Sequence, residues 1–308
     1  MNIALLGASS QIAKGLLRNL VLDQSNQLYL FTRNTLDYQK WLESKHLNLE
    51  QCMLNGLGEF NDSIKYDLII NFIGVGDPSK ALKLGSSIFD ITYEYDQKVL
   101  DYLLHHPESK YIFISSGVVY GNIFTQPAHK DSQAIININS LKITDWYSMA
   151  KMYSEARHRA LDQFSIIDIR VFNYVSSDID ISNRFLITDA LRAIVNNEVL
   201  ETNDHNIFRD YIGHEDLYQL IKSIVKQDFT NVAVDCFTKK VTDKVSILRM
   251  LEVKFGLRYE VIHSQTGVEA FGPRDNYFSL NKQAESFGYK PAYTSLENIS
   301  KASEELLS

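Results

Sequence analysis

An α/β fold built on a doubly wound parallel sheet follows from three features of this sequence. Short, continuous apolar runs recur through its first half: Ile3–Leu6, Leu28–Phe31, Leu68–Ile70 and Tyr111–Ile114. Such runs suit strands that are covered on both faces. Stretches with the 3.6-residue period of amphipathic helices lie between them. The runs also end in turns of small and polar residues, Gly7-Ala8-Ser9-Ser10, Thr32-Arg33-Asn34, Asn71-Phe72-Ile73-Gly74 and Ser115-Ser116-Gly117. In a sheet of parallel strands these turns fall on one edge, where ligands bind.

The chain's 308 residues suffice for one large α/β domain with a smaller region appended. Its 45% hydrophobic and 22% charged content is that of a soluble globular protein, and its net charge of -7 argues against nucleic acid as a partner. The two cysteines, Cys52 and Cys236, lie far apart. They form neither a disulfide framework nor a zinc spacing, so no metal is expected and a reducing compartment fits. The first apolar run is short and has no basic residue before it, so no signal peptide is expected. No run approaches a membrane span, and a cytoplasmic location is expected.

Taken in order, Ile3–Leu6 is the first strand, and Ile12, Leu16, Leu17, Leu20 and Val21 mark a helix after it. The turn between them, Gly7 to Ala13, is a candidate anion site. The free amides of Ser9, Ser10, Gln11 and Ile12 and the helix dipole would face a pyrophosphate. Its glycine pattern is incomplete, since Ser10 and Ala13 stand where a second and third glycine are expected. The second strand ends in Thr32-Arg33, where an acid would hold the ribose 2′-hydroxyl of NAD. A guanidinium suits a 2′-phosphate instead, which points to NADP, although an exposed loop arginine is the plainer alternative. Tyr38, Trp41 and Leu42 indicate a helix and Leu49–Leu54 a third strand. The fourth strand runs into Asn71 and Gly74, both placed at the cofactor edge. A helix over about 86–105 would turn Val99, Leu100, Leu103 and Leu104 inward and leave Glu94, Asp96 and Asp101 in solvent.

Tyr147-Ser148-Met149-Ala150-Lys151 lies on a helix whose buried face is predicted from Trp146, Met149, Ala150 and Tyr153. Tyr147 and Lys151 are four apart and share another face. An ammonium beside a phenol lowers its pKa, and a surface pair of no consequence is the alternative.

Ser115-Ser116-Gly117-Val118-Val119-Tyr120-Gly121 followed by Tyr147-x-x-x-Lys151 resembles the extended short-chain dehydrogenase/reductase family, in its nucleotide-sugar branch. Arg170-Val171-Phe172-Asn173, the segment Arg209–Leu217, Pro273-Arg274-Asp275, and Ser279–Lys282 with Phe287–Pro291 extend the resemblance over nearly the whole chain. It implies that Tyr147 is the acid/base, that Lys151 holds the nicotinamide ribose and tunes Tyr147, and that Ser116 holds the substrate oxygen. Ser115, one residue earlier, would point the other way. Asn173, Arg209 and Arg274 are implied as diphosphate ligands, while pairing of the arginines with Asp210 or Asp275, and backbone capping by Asn173, remain open. A homodimer through two helices is also implied.

The departures narrow the chemistry. Members that dehydrate sugars carry Asp-Glu after the catalytic hydroxyl residue, where this chain has Gly117-Val118, and Val118 also stands where members that both epimerise and reduce carry a cysteine. The expected activity is NADPH-dependent reduction of a nucleotide-linked 4-keto sugar. A 4-epimerase retaining NAD and a non-catalytic NAD(P)-binding protein are the alternatives. The cofactor-binding core is expected over 1–178, with 203–240 partly returning to it, and a small α/β substrate region over 179–308. His129, His205 and His214 are expected in loops without a catalytic role.

Overall fold

The computed structural model describes residues 1–45, 47, 49–74, 83–262 and 274–308. Its centre is a seven-stranded parallel sheet. Six strands come from the first half of the chain: β1 Asn2–Leu6, β2 Gln27–Thr32, β3 Cys52–Gly56, β4 Leu68–Asn71, β5 Lys110–Ser116 and β6 Ile166–Val171. Val232–Asp235 adds outside β6, so the order across the sheet is Val232–Asp235, β6, β5, β4, β1, β2, β3. The strand order reverses direction between β1 and β4, where doubly wound sheets open a crevice for a dinucleotide.

Both sheet faces are covered, which is why the strands read as unbroken apolar runs. Ile3, Leu5, Ile70, Ile112 and Ile114 pack on one side with Leu16, Leu17 and Leu20 of α1 (Gln11–Leu20) and Leu217, Leu220 and Ile221 of the helix His214–Val225. Ala4, Leu6, Ile69, Tyr111 and Phe113 pack on the other with Val99, Leu100 and Leu103 of the helix Ser87–His105. A separate core joins the helices Leu186–Asn196, Lys244–Phe255 and Ser295–Leu307. Among the described residues no helix is long and apolar enough to cross a membrane.

Two helices differ from their expected faces. In Ser87–His105, Leu104 is 65% exposed, whereas Asp96 is fully buried. In Ile143–Ala160, Tyr153 is 53% exposed, and the buried residues are Ser148, Ala150, Lys151, Ser154, Glu155 and His158. The physical reason is a network of buried charge. His158 Nε2 lies 2.8 Å from Asp96 Oδ1, and its Nδ1 lies 2.7 Å from Asp168 Oδ1. Arg157 reaches the other Asp96 oxygen at 3.2 Å, and Arg159 reaches Asp168 at 3.0 Å. Tyr111 donates to Asp96 at 2.9 Å. Glu155 pairs with Arg170 at 2.6 Å and accepts from Ser115 at 2.6 Å. Carboxylates and cations satisfy one another, so a polar helix face can be buried where periodicity looks for an apolar one.

With a carboxylate at each ring nitrogen, His158 is an imidazolium. Burial opposes the charge, but Asp168 and Asp96 outweigh it and raise its pKa from 6.5 to about 9. The sign follows: the stabilisation is full below the unfolded value of 6.5 and is lost as pH rises through about 9. Urea titrations should therefore show wild type losing roughly 3 kcal/mol between these limits. His158→Ala, which strips both carboxylates of their partner, should cost about 3–5 kcal/mol near neutral pH and flatten that dependence. An unchanged midpoint would show that the network contributes nothing.

Candidate active site

The turn after β1 is built for close approach. Gly7 has φ +76°, and a Cβ there would lie 3.0 Å from Ile73 Cγ1 and 3.3 Å from the Ile73 amide. Only glycine fits both the angle and the space. Ser10 serves as the N-cap of α1, its hydroxyl accepting from the Ala13 amide at 3.2 Å. The serine in the second glycine position thus starts the helix, and the first-turn amides of Gln11 and Ile12 are left without helical acceptors. Thr32 donates to Ser9 at 2.9 Å, joining the ends of β1 and β2. Arg33 stands exposed just beyond. These features fit a dinucleotide diphosphate and ribose at the crevice. Asn71 is a correction to the expected set, for its side chain is spent inside the protein. It donates to the Tyr111 hydroxyl at 3.1 Å and accepts from the Ile73 amide at 2.9 Å. Gly74 does border the site, since a Cβ there would lie 3.1 Å from Lys151 Nζ.

Strand alternation separates the two serines of β5. Ser115 faces the helix Ile143–Ala160 and binds Glu155, while Ser116 points the other way, into a cluster of hydroxyls. Ser116 Oγ lies 3.3 Å from the Tyr277 hydroxyl, accepts from the Val118 amide at 3.4 Å, and hydrogen-bonds the Tyr147 phenol. Lys151 is buried one turn along the same helix as Tyr147. Its ammonium donates to the Ile114 carbonyl at 2.8 Å and sits 4.0 Å over the Phe113 ring. Burial lowers its pKa to about 8 against the pull of Asp96, Asp168 and Glu155.

The expectation that Lys151 depresses the Tyr147 phenol is corrected here. Burial and the neighbouring Tyr277 push the Tyr147 pKa up, and the groups that oppose the rise are Ser116 and Arg274. The ammonium is directed at the end of β5 instead.

Arg209, Arg274 and Asn173 converge around Tyr277, though not as open forks. Arg209 donates to the carbonyls of Phe208 at 2.8 Å and Arg274 at 2.6 Å, and Arg274 donates to Asn122 Oδ1 at 2.7 Å. Both guanidinium groups lie over the Tyr277 ring, at 6.0 and 5.2 Å. Asp210 is occupied by Thr238 and Ser295, and Asp275 by His205. The Asn173 amide donates to the Asp210 carbonyl at 3.2 Å and the Tyr277 carbonyl at 3.5 Å, which is the capping role. Pro273 lies outside the described residues. His214 opens a helix rather than sitting in a loop.

Sequence reasoning missed the aromatic wall of Phe124, Phe172 and Tyr277, whose rings lie 4.8–6.3 Å apart. It explains the missing acid after Ser116. A Cβ on Gly117 would fall 2.4 Å from the Phe172 ring, so no side chain can stand there.

A model of the NAD dependent epimerase/dehydratase family matches residues 3–234. The chain belongs to this family. It is an NAD(P)-dependent enzyme of the extended short-chain dehydrogenase/reductase type. A comparison with curated protein sequences finds no match. Solved structures share the whole fold at low identity. A UDP-glucuronic acid 4-epimerase from Bacillus cereus in complex with NAD is 15% identical, covering 100% of this chain and 99% of its own, with a TM-score of 0.78. A dTDP-glucose 4,6-dehydratase from Bacillus anthracis in complex with NAD is 16% identical, covering 99% and 96%, with a TM-score of 0.77. A UDP-glucose 4-epimerase from Bifidobacterium longum in complex with NAD+ and UDP is 16% identical, covering 99% and 98%, with a TM-score of 0.75.

The Gly117–Phe172 contact makes a testable claim. Gly117→Ala should destabilise the enzyme by about 1–3 kcal/mol through overpacking. Combined with Phe172→Leu, the loss should be smaller than the sum of the two single changes. Strict additivity in denaturant titrations would show that the ring is not what excludes a side chain at 117.

Proposed function

We propose that this enzyme reduces a nucleotide-linked 4-keto sugar with NADPH. The reading rests on one observation above others. The hydroxyls of Ser116 and Tyr147 meet at the sheet edge, while Phe172 closes the neighbouring position 117 to any acid. A site with one proton donor and no second acid/base pair suits addition across a single carbonyl, and does not suit elimination of water.

Ser116 holds the C4 oxygen in this reading, and Tyr147 gives it a proton, becoming a phenolate as the ketone becomes an alcohol. The nicotinamide, when bound, supplies the hydride to C4. Lys151, at the mouth bordered by Gly74, holds the nicotinamide ribose. Gly7, Ser9 and the amides of Gln11 and Ile12 receive the diphosphate, and Arg33 receives a 2′-phosphate. Arg209 and Arg274 flank the substrate's diphosphate. A 4-epimerase that retains NAD is the second reading. The structurally similar 4-epimerases named above carry that cofactor, and the same hydroxyls would serve it.

Cofactor carriage separates the two. Under the first reading the purified protein is empty and binds NADPH at least tenfold more tightly than NADH, about 1.4 kcal/mol, and Arg33→Ala removes most of that difference. NAD released on denaturation, with no preference for NADPH, favours the epimerase. Tyr147→Phe should lose most turnover and keep cofactor affinity. Weakened binding with normal turnover would overturn its role.

The Lys151 pKa of about 8 carries its own prediction. The free protein loses the ammonium as pH rises through that value, so calorimetric NADPH affinity should fall above pH 8. Lys151→Met should weaken binding about tenfold below pH 8, the effect of a charge-assisted hydrogen bond, and abolish the pH dependence. A flat profile in the wild type would place Lys151 away from the cofactor.

A further inference from the structure

Tyr277 comes from a two-residue strand, Asn276–Tyr277, that pairs with Phe208–Arg209 far from β5 in sequence. It is 6% exposed, yet its hydroxyl ends 3.3 Å from Ser116 Oγ, 161 residues away in sequence. Its ring is held edge-on by Phe124 at 4.8 Å, by Phe172 at 5.1 Å, and by the guanidinium groups of Arg274 and Arg209. A phenol so firmly held has a fixed hydroxyl position.

A donor and acceptor count then assigns direction. A serine hydroxyl has one proton and two acceptor sites, while a backbone amide can only donate. The Val118 amide faces both Ser116 Oγ, at 3.4 Å, and the Tyr277 hydroxyl. With Val118 N–H and Tyr277 O–H both pointing at it, Ser116 Oγ has its acceptor sites filled. Its own proton has one direction left, toward Tyr147 and the space in front of it.

We propose that Tyr277 is a positioning residue that fixes Ser116 as a hydrogen-bond donor to the substrate oxygen. The proposal deepens the function given above and rests on Ser116 as the group that holds that oxygen. Without the Tyr277 hydroxyl, Ser116 can rotate and offer a lone pair, and an acceptor facing a carbonyl oxygen repels it. A chain of hydroxyls donating in one direction also strengthens each link. The two arginines over the ring connect this cluster to the place proposed for the substrate's diphosphate, so an anion there and the orientation of Ser116 share one aromatic ring.

The test reads the Tyr147 phenol directly and needs no substrate. The full chain is labelled with 3-fluorotyrosine, which brings phenols into an accessible pH range, and the 147 resonance is assigned by its loss in Tyr147→Phe. Fluorine NMR titrations then compare the parent with Tyr277→Phe, which keeps the ring against Phe124 and Phe172. If Tyr277 steers the Ser116 proton toward Tyr147, its removal weakens the bond that favours the phenolate. The 147 phenol should then titrate about half a pH unit higher or more. In a Ser116→Ala background the same substitution should produce no rise. A fall or no change in Tyr277→Phe would mean that Tyr277 acts only as a neighbouring acid, and overturns the proposal. An equal rise without Ser116 overturns it as well. Where a keto sugar is turned over, Tyr277→Phe should lower kcat about tenfold or more while leaving KM near the parent's, and a change confined to KM counts against it. Because the titration uses the protein without substrate, its outcome stands even if no keto sugar proves to be turned over.

Discussion

Everything at the catalytic edge depends on how the helix Ile143–Ala160 lies against the sheet, and buried charge decides that. His158 is clamped between Asp96 and Asp168 from two different elements, and Glu155 is bound by Ser115 and Arg170 from two more. Apolar packing tolerates small slips, whereas an imidazolium with a carboxylate at each nitrogen does not, because any slip leaves a buried charge without a partner. The helix is therefore fixed in rotation and in register. Lys151 and Tyr147, two and three turns before His158, inherit that precision.

The same network sets the character of Lys151. Its ammonium is deep enough for burial to pull its pKa down, and the three carboxylates beneath it keep the fall to about 8. Tyr147 stands further out among hydroxyls rather than beside a cation. The site thus keeps two tasks apart. The charge sits where a ribose would lie, and the proton sits where a carbonyl would lie, with Ser116 bridging to a third phenol.

Much of this is legible in the sequence. The strands β1, β2, β4 and β5 are readable because both faces of each are covered and their residues are uniformly apolar. Ser116 can be told from Ser115 by strand alternation alone. The inner face of Ile143–Ala160 is not legible, because hydrophobic periodicity cannot register a buried face of Ser148, Lys151, Ser154, Glu155 and His158. Asp96 escapes it for the same reason, as an acid amid acids on what looks like a wet face. Asn71 stands at the right edge but is consumed by Tyr111, a partner only the fold brings near. Tyr277 sits between two motif fragments and carries no pattern of its own. Its meaning comes from the pairing of Asn276–Tyr277 with Phe208–Arg209, which no local signal announces.

That pairing has a consequence for how the molecule is made. The diphosphate turn, Ser116, Tyr147 and Lys151 all lie within the first 151 residues, and the sheet that carries them gains its last strand at Val232–Asp235. The hydroxyl that orients Ser116 emerges from the ribosome more than a hundred residues after Lys151. A nascent chain therefore assembles its nucleotide half first. The reactive centre closes only near the end of synthesis, when the Asn276–Tyr277 strand docks and the partly built enzyme can no longer meet its substrate with Ser116 turned the wrong way.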